Sequence, residues 1–372
     1  MSVDPARARV QNHKFFGALE SLRGIACLLV VLYHIPPWYG PFARLGVVHS
    51  GHLAVEFFFV LSGFVLFHSY GSRITDFATL KRFMILRLFR LYPVHFAFML
   101  LFFGFELAKY VSATRHGLLA PAPMRELLTA LGENTLLVQG VGLRKRSVFL
   151  NFPSWSISTE FYTYLIFGLV SLSVPPRRFA QFALGITLVS LAVLTAFHGD
   201  SEFQQLLRCV GGFFLGCLVH IAFSRMSGDE AKHDWALPML LAVAVAISVD
   251  WHGPSKLWEL SFGFSALLIL ALVKKPSGAT SRALEWAPFR LLGLISYSLY
   301  MSHALALRLV SRVLDRLFPL VVAPGVDRFA QPLASIVYIS TLVAVIGIGS
   351  LTYLVLERPF KRLAARVSRA TR

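Results

Sequence analysis

Long apolar runs separated by short polar or basic connections make up most of this chain. Each run is roughly 16 to 22 residues, the length a helix needs to cross about 30 Å of hydrocarbon at 1.5 Å per residue. The pattern predicts about ten spans: Glu20–Ile35, His52–Tyr70, Leu91–Val111, Trp155–Val174, Phe179–His198, Phe203–Phe223, Trp235–Val249, Trp258–Val273, Leu291–Arg312 and Ala334–Leu356. The seventh and eighth are short for a crossing. A membrane barrel would alternate apolar and polar positions in strand-length segments, which this chain does not do. The predicted fold class is therefore all-α, a polytopic transmembrane helical bundle with both termini cytoplasmic. Two connections exceed what a hairpin needs, Gly71–Arg90 and Ser112–Ser154, and the second holds a weakly apolar stretch, Glu126–Val141, expected to lie along the membrane surface. No internal repeat is evident. Residues 1–19 read as a cytoplasmic lead-in, 20–356 as one transmembrane domain and 357–372 as a basic cytoplasmic tail.

The composition sharpens this picture. Of 372 residues 56% are hydrophobic and 15% charged, a balance unsuited to an ordinary soluble domain. The net charge of +17 would suggest nucleic acid in a soluble protein, but in a membrane protein basic residues first report orientation. With the N-terminus inside, 22 of the 36 basic residues fall in cytoplasmic segments and 12 outside, among them Arg144, Lys145 and Arg146 of the long outer loop. No nucleic-acid partner is expected; the partner implied is the lipid bilayer. The first 15 residues lack the pattern of a cleavable signal, so the first span is expected to remain as an anchor. Cys27, Cys209 and Cys217 sit in or beside apolar runs and read as small buried side chains. Trp38, Tyr39, Trp251 and Trp258 sit where aromatic belts occur, or where sugars could stack.

Ionisable residues inside spans are the candidates for chemistry, because each costs about 2.5–3.5 kcal/mol to insert and usually faces a protein interior or a polar path. Arg23 and His34 are eleven residues apart, close to three full turns, so they share a face and are separated by roughly 16 Å along the axis. Glu20 precedes Arg23 by one turn. An imidazole can accept a proton at neutral pH, which an arginine cannot; the plainer reading of His34 is an interfacial histidine bonded to a neighbouring helix. Glu56 lies in the apolar run Val55–Phe64 and requires a partner there. Ser62 and Gly63 beside it suit close helix approach.

Arg87 and Arg90 stand one turn apart where the third span begins. Such a pair holds phosphate oxygens well, arginine being planar and permanently charged, and it also serves as cytoplasmic anchoring on lipid headgroups. At the start of the fourth span, beside Trp155, the residues Ser156, Glu160 and Tyr164 form a polar stripe at i, i+4 and i+8. That stripe is either a packing seam or a cavity wall whose carboxylate orients an imidazole. In the ninth span Ser296, Tyr300 and His303 share a face, His303 reading as structural or acceptor-contacting. Leu356-Glu357-Arg358-Pro359-Phe360 reads as a helix exit, with the proline ending the span.

Taken in order, Leu22-Arg23-Gly24-Ile25-Ala26 with His34, Phe58-Phe59-Val60-Leu61-Ser62-Gly63, Arg87 to Arg90, Trp155-Ser156-Ile157-Ser158-Thr159-Glu160, Ser296 to Tyr300 with His303, and Glu357-Arg358-Pro359 closely resemble the acyltransferase-3 family of membrane acyltransferases. The resemblance implies acyl transfer, acetyl being the expected group, from coenzyme A in the cytoplasm to a hydroxyl of a surface glycan, a lipid-linked or signalling oligosaccharide or a macrolide, in a bacterial inner membrane. It carries Arg23, Arg87 and Arg90 over as holders of the coenzyme phosphates and His34 as general base or acyl carrier. Glu56, where relatives often have Asp, is a looser match. On this reading Glu56 or Glu160 fixes the tautomer of His34, while Trp155, Ser156, Tyr164, Tyr300 and His303 contact the acceptor. No resident metal or cofactor is expected, acetyl-coenzyme A being a co-substrate. Many relatives add an esterase-like domain; this chain stops 16 residues after Leu356, so a further outer step is expected to need a separate protein. A multi-pass transporter or flippase is the alternative, with the same ionisable residues forming its path.

Overall fold

The computed structural model describes residues 5–36, 42, 45–119, 122–142, 150–197, 202–226, 232–248, 260–317 and 333–370. Every regular element among them is helical. In chain order these are α1 (Pro5–His34), α2 (Gly46–His49), a 3₁₀ turn (Gly51–Leu53) leading into α3 (Ala54–Tyr70), α4 (Phe77–Arg115), α5 (Met124–Thr135), α6 (Trp155–Ser173), α7 (Pro176–Ala196), α8 (Glu202–Arg225), α9 (Ala236–Ser248), α10 (Leu260–Lys274), α11 (Ala279–Leu284), α12 (Ala287–Leu317), α13 (Leu333–Thr352) and α14 (Arg358–Ala370). Six described segments are long and apolar enough to cross a membrane: Gly17–His34, Gly51–Tyr70, Phe77–Arg115, Pro176–Ala196, Phe203–Arg225 and Leu333–Arg366. Their outward faces agree, with Phe182, Leu188 and Val189 exposed on α7 and Ile336, Ile339 and Val343 exposed on α13. Such surface is stable against lipid and unfavourable in water. The protein is a multi-pass helical membrane protein. Trp38, Tyr39, Trp251 and Trp258, and Arg144 to Arg146, lie outside the described residues.

Two expectations are corrected. The connection expected over Gly71–Arg90 is mostly helix, because α4 begins at Phe77. Its start is set by a capping box: the Asp76 carboxylate accepts the backbone N–H of Thr79 at 2.8 Å, and the Thr79 hydroxyl accepts the backbone N–H of Asp76 at 3.1 Å. Those bonds hold the exposed Asp76 carboxyl below its ordinary range. Pro93 sits inside α4 without ending it. Nor does Pro359 end the last helix: a π-helical segment, Tyr353–Glu357, joins α13 to α14. Wider i→i+5 spacing just before the proline accommodates the donor it lacks. The stretch expected to lie along the membrane is α5, whose end is tied to α4 by Tyr92 donating to the Thr135 carbonyl at 3.0 Å and His95 Nε2 donating to the Asn134 carbonyl at 2.9 Å.

The chain divides into two units, Met1–Ser69 with Gly212–Ser350, and Tyr70–Gly211 with Leu351–Arg372. In the first, α1 packs along α12. A Cβ on Gly24 would lie 2.3 Å from the backbone nitrogen of Gly293, and one on Gly293 would lie 2.3 Å from the carbonyl oxygen of Glu20. Only glycine allows this approach at both positions. Gly63 meets the Phe213 carbonyl of α8 in the same way, as its place beside Ser62 suggested. Around these contacts Val31, Val60, Phe64, Phe213, Phe214, Phe262, Leu299 and Met301 form a buried core. The cysteines are free and buried, as the sequence indicated. In the second unit Phe83, Phe167 and Phe179 pack edge to face, and α14 lies against α4.

Candidate functional site

In the first unit the face shared by Arg23 and His34 is turned to α12. Arg23 Nε donates to Ser296 Oγ and its Nη2 to the Gly293 carbonyl, both at 2.9 Å, with Glu20 Oε1 at 3.7 Å from Nη2. Ser296 in turn donates to the Gly293 carbonyl at 2.9 Å. The guanidinium therefore clamps α1 to α12 where the glycines let the backbones touch. Its place in the sequence suggested a phosphate ligand; here three of its neighbours are intramolecular.

At the other end of α1, His34 Nδ1 lies 2.7 Å from the Val30 carbonyl of its own helix. A carbonyl only accepts, so Nδ1 carries the hydrogen and Nε2 carries the basic lone pair. That hydrogen is held by the backbone of the helix His34 itself belongs to. The ring of His303 lies 5.1 Å from that of His34, tilted by 42°. His303 repeats the device, with Nδ1 donating to the Tyr300 carbonyl at 2.6 Å. Tyr300 packs edge to face on Phe58 of α3, the helix on which Glu56 is buried at 0% exposure. His52 and Tyr33 complete the group: the Tyr33 ring is 4.9 Å from His34 and 5.1 Å from His52. Sequence reasoning missed both. His52 stands four residues before Glu56 at the edge of the predicted second span, but no spacing within one helix ties either residue to the other across some twenty positions.

The second unit holds the arginine pair. Arg87 Nη2 donates to the Tyr70 hydroxyl at 3.3 Å, and its guanidinium lies 5.3 Å from the Tyr70 ring centre and 5.8 Å from that of Phe83. Its Nε is buried and makes no hydrogen bond among the described residues. Tyr164 lies edge to face on Phe83, at 6.1 Å, and feels the charges of Arg87 and Arg90. Its hydroxyl donates to Glu160 Oε1, so the i, i+4 part of the predicted stripe is a bonded pair facing the arginines. Ser156 departs from that picture, donating to the Pro153 carbonyl at 3.1 Å at the helix start. Trp155 lies under the Arg208 guanidinium at 5.7 Å.

The two constellations are thus a pair of imidazoles, each with its Nδ1–H held by its own helix, and a cationic patch walled by aromatic rings. The family model described as an acyltransferase domain, acyltransferase-3, matches residues 16–354. The chain belongs to the acyltransferase-3 family. Both constellations fall inside the matched region, as does the clamp. Among relatives of this family member, MdmB of Streptomyces mycarofaciens, named an acyltransferase, is 26% identical over 94% of this chain and 92% of its own length. YrhL of Bacillus subtilis (strain 168), whose name proposes a peptidoglycan O-acetyltransferase, is 25% identical over 95% of this chain. The O-acetyltransferase OatA of Staphylococcus aureus (strain NCTC 8325 / PS 47) is 22% identical over 79%. The chain spans about half the length of the latter two, 56% and 51%. No solved structure matches.

Proposed function

We propose that this family member is an O-acyltransferase of the cytoplasmic membrane that takes an acyl group, acetyl by preference, from acyl-coenzyme A and places it on a hydroxyl of a carbohydrate. The observation that carries the proposal is the tautomer of His34: with Nδ1–H held by the Val30 carbonyl, the basic lone pair is on Nε2, in a membrane helix where an ionisable group is costly unless used. Arg87 and Arg90 are the residues proposed to hold the coenzyme phosphates, the buried unpartnered Nε of Arg87 being a donor that an anionic oxygen would satisfy. The tyrosines stiffen that site: Tyr70 bonds and stacks on Arg87, and Tyr164 is anchored by Glu160. Arg23 acts here by keeping α1 seated on α12, which keeps His34 against His303. Relatives named for O-acetyl transfer, including one whose name specifies peptidoglycan, favour a glycan acceptor.

The test is transfer of radiolabelled acetyl from acetyl-coenzyme A into the glycan fraction of membranes containing the chain. Label above that of membranes lacking it is expected; none with a broad acceptor pool overturns the proposal. In the same assay Arg87→Ala is expected to raise the KM for acetyl-coenzyme A by about 10–100-fold, the effect of losing charge-assisted bonds worth about 1.5–3 kcal/mol. Arg87→Lys should recover only part of it, because the stacked planar fork is lost. An unchanged KM in Arg87→Ala would remove Arg87 from donor binding.

A further inference from the structure

We infer that His34 and His303 form a two-imidazole relay, His34 carrying the acyl group and His303 acting as the base that activates the acceptor hydroxyl. The inference rests on the proposed acyl transfer and goes beyond it by dividing the reaction between two residues. Its ground is the matched pair on α1 and α12: ring centres 5.1 Å apart, and each Nδ1–H committed to a carbonyl of its own helix, Val30 at 2.7 Å and Tyr300 at 2.6 Å. Both basic lone pairs therefore reside on Nε2. One imidazole that only needs orienting has no use for a second base of the same tautomer beside it. A carboxylate or a carbonyl performs that task, and the Val30 carbonyl already does. Core packing does not require the second imidazole either, because His303 is at 0% exposure and a buried polar ring is costlier there than an apolar one.

The chemistry balances over two steps. His34 Nε2 attacks the thioester carbonyl carbon; the C–S bond breaks, coenzyme A leaves as the thiolate, and His34 becomes an Nε2-acylimidazolium that retains its Nδ1–H. The acceptor hydroxyl then attacks the same carbon while His303 Nε2 takes its proton. The N–C bond breaks with its electron pair returning to His34, which is regenerated neutral, and the ester is released. The proton on His303 passes to solvent, and the coenzyme thiolate takes one from solvent. The sum is acyl-coenzyme A plus alcohol giving ester plus free coenzyme A. Splitting one difficult displacement into two is the advantage of a covalent carrier. A separate base for the second step is needed because the acylated His34 no longer has a basic nitrogen to offer.

Hydroxylamine separates the two roles, since it attacks an acylimidazolium without a base. Purified protein is given acetyl-coenzyme A with either hydroxylamine or its glycan acceptor fraction, and acetohydroxamate above the uncatalysed background is measured beside acetyl-glycan. The wild type should form both products. His303→Gln at wild-type abundance and melting temperature should keep hydroxamate formation near the wild-type rate while acetyl-glycan falls by about 10²-fold or more, the usual size of a lost general base. His34→Gln should form neither. Full glycan transfer by His303→Gln, or equal loss of both products, overturns the division of roles. Should the variants fail to fold, the wild type still decides: quenched with acetyl-coenzyme A in the absence of acceptor, it must show acetyl on His34 by peptide mass spectrometry, and a bare His34 overturns the relay. A wild type that forms no acetyl-glycan under any condition overturns the proposed function itself, whereas acetyl-glycan without hydroxamate or acetyl-His34 sinks only the relay.

Discussion

Replacing His34 with alanine is expected to lower acetyl transfer to glycan by about 10²–10⁴-fold, the range for losing a positioned acid–base or nucleophilic side chain, with little loss of folded protein. The separation follows from the local structure. The half-buried imidazole bonds to the Val30 carbonyl of its own helix turn, while Cys27, Val30 and Val31 seat α1 and are untouched by the change. Membrane abundance and melting temperature measured beside transfer make the comparison clean. A decrease of less than tenfold at wild-type abundance would show that His34 carries neither proton nor acyl group. Arg23→Met supplies the contrast. It removes the bonds to Ser296 and Gly293, so stability and transfer should fall together.

The helices were legible in the sequence where their reason for existing is hydrophobic. The predicted fourth span differs from α6 by one residue, and the predicted sixth differs from α8 by a few, because apolar runs of membrane length have few other ways to satisfy their backbone. What stayed hidden was helix made of polar residues. Hydropathy reports where a helix is buried in lipid and is silent on how far it runs beyond, so the start of α1 at Pro5 and of α4 at Phe77 could not be read from it. A tail dense in arginine looked like an exit because Pro359 usually stops a helix; the π-helical spacing before it is a backbone adjustment with no sequence period of its own. For the site, helical arithmetic placed Arg23 with His34, Glu160 with Tyr164, and Arg87 near Arg90, all within single helices. It could not pair His34 with His303, 269 positions further along the chain, nor see that a backbone carbonyl of its own helix would hold the Nδ1–H of each. Periodicity describes one helix at a time, and the chemistry here arises where two meet.

That meeting depends on two atoms the chain lacks. Adding a methyl group at Gly293 would place it 2.3 Å from the Glu20 carbonyl oxygen and 2.6 Å from its carbon, and one at Gly24 would fall 2.3 Å from the Gly293 nitrogen. Both obstacles are backbone, which cannot rotate aside as a side chain can, so α1 and α12 must separate. Gly293→Ala is therefore expected to destabilise the protein by about 1–3 kcal/mol, as overpacking of a filled interior does, and to reduce transfer further than stability alone explains, since the Arg23 clamp and the 5.1 Å imidazole pair span this interface. Gly347→Ala on α13 is the matched control. Nothing lies within 4 Å of its added carbon, and the gain in helix propensity, up to about 1 kcal/mol, should leave it as stable as the wild type or more so, with transfer unchanged. Thermal unfolding in detergent and acetyl transfer, measured on both variants, test the argument at once: if Gly293→Ala melts and transfers like Gly347→Ala, then α1 and α12 do not need close contact, and the arrangement of His34 and His303 must be secured by something else.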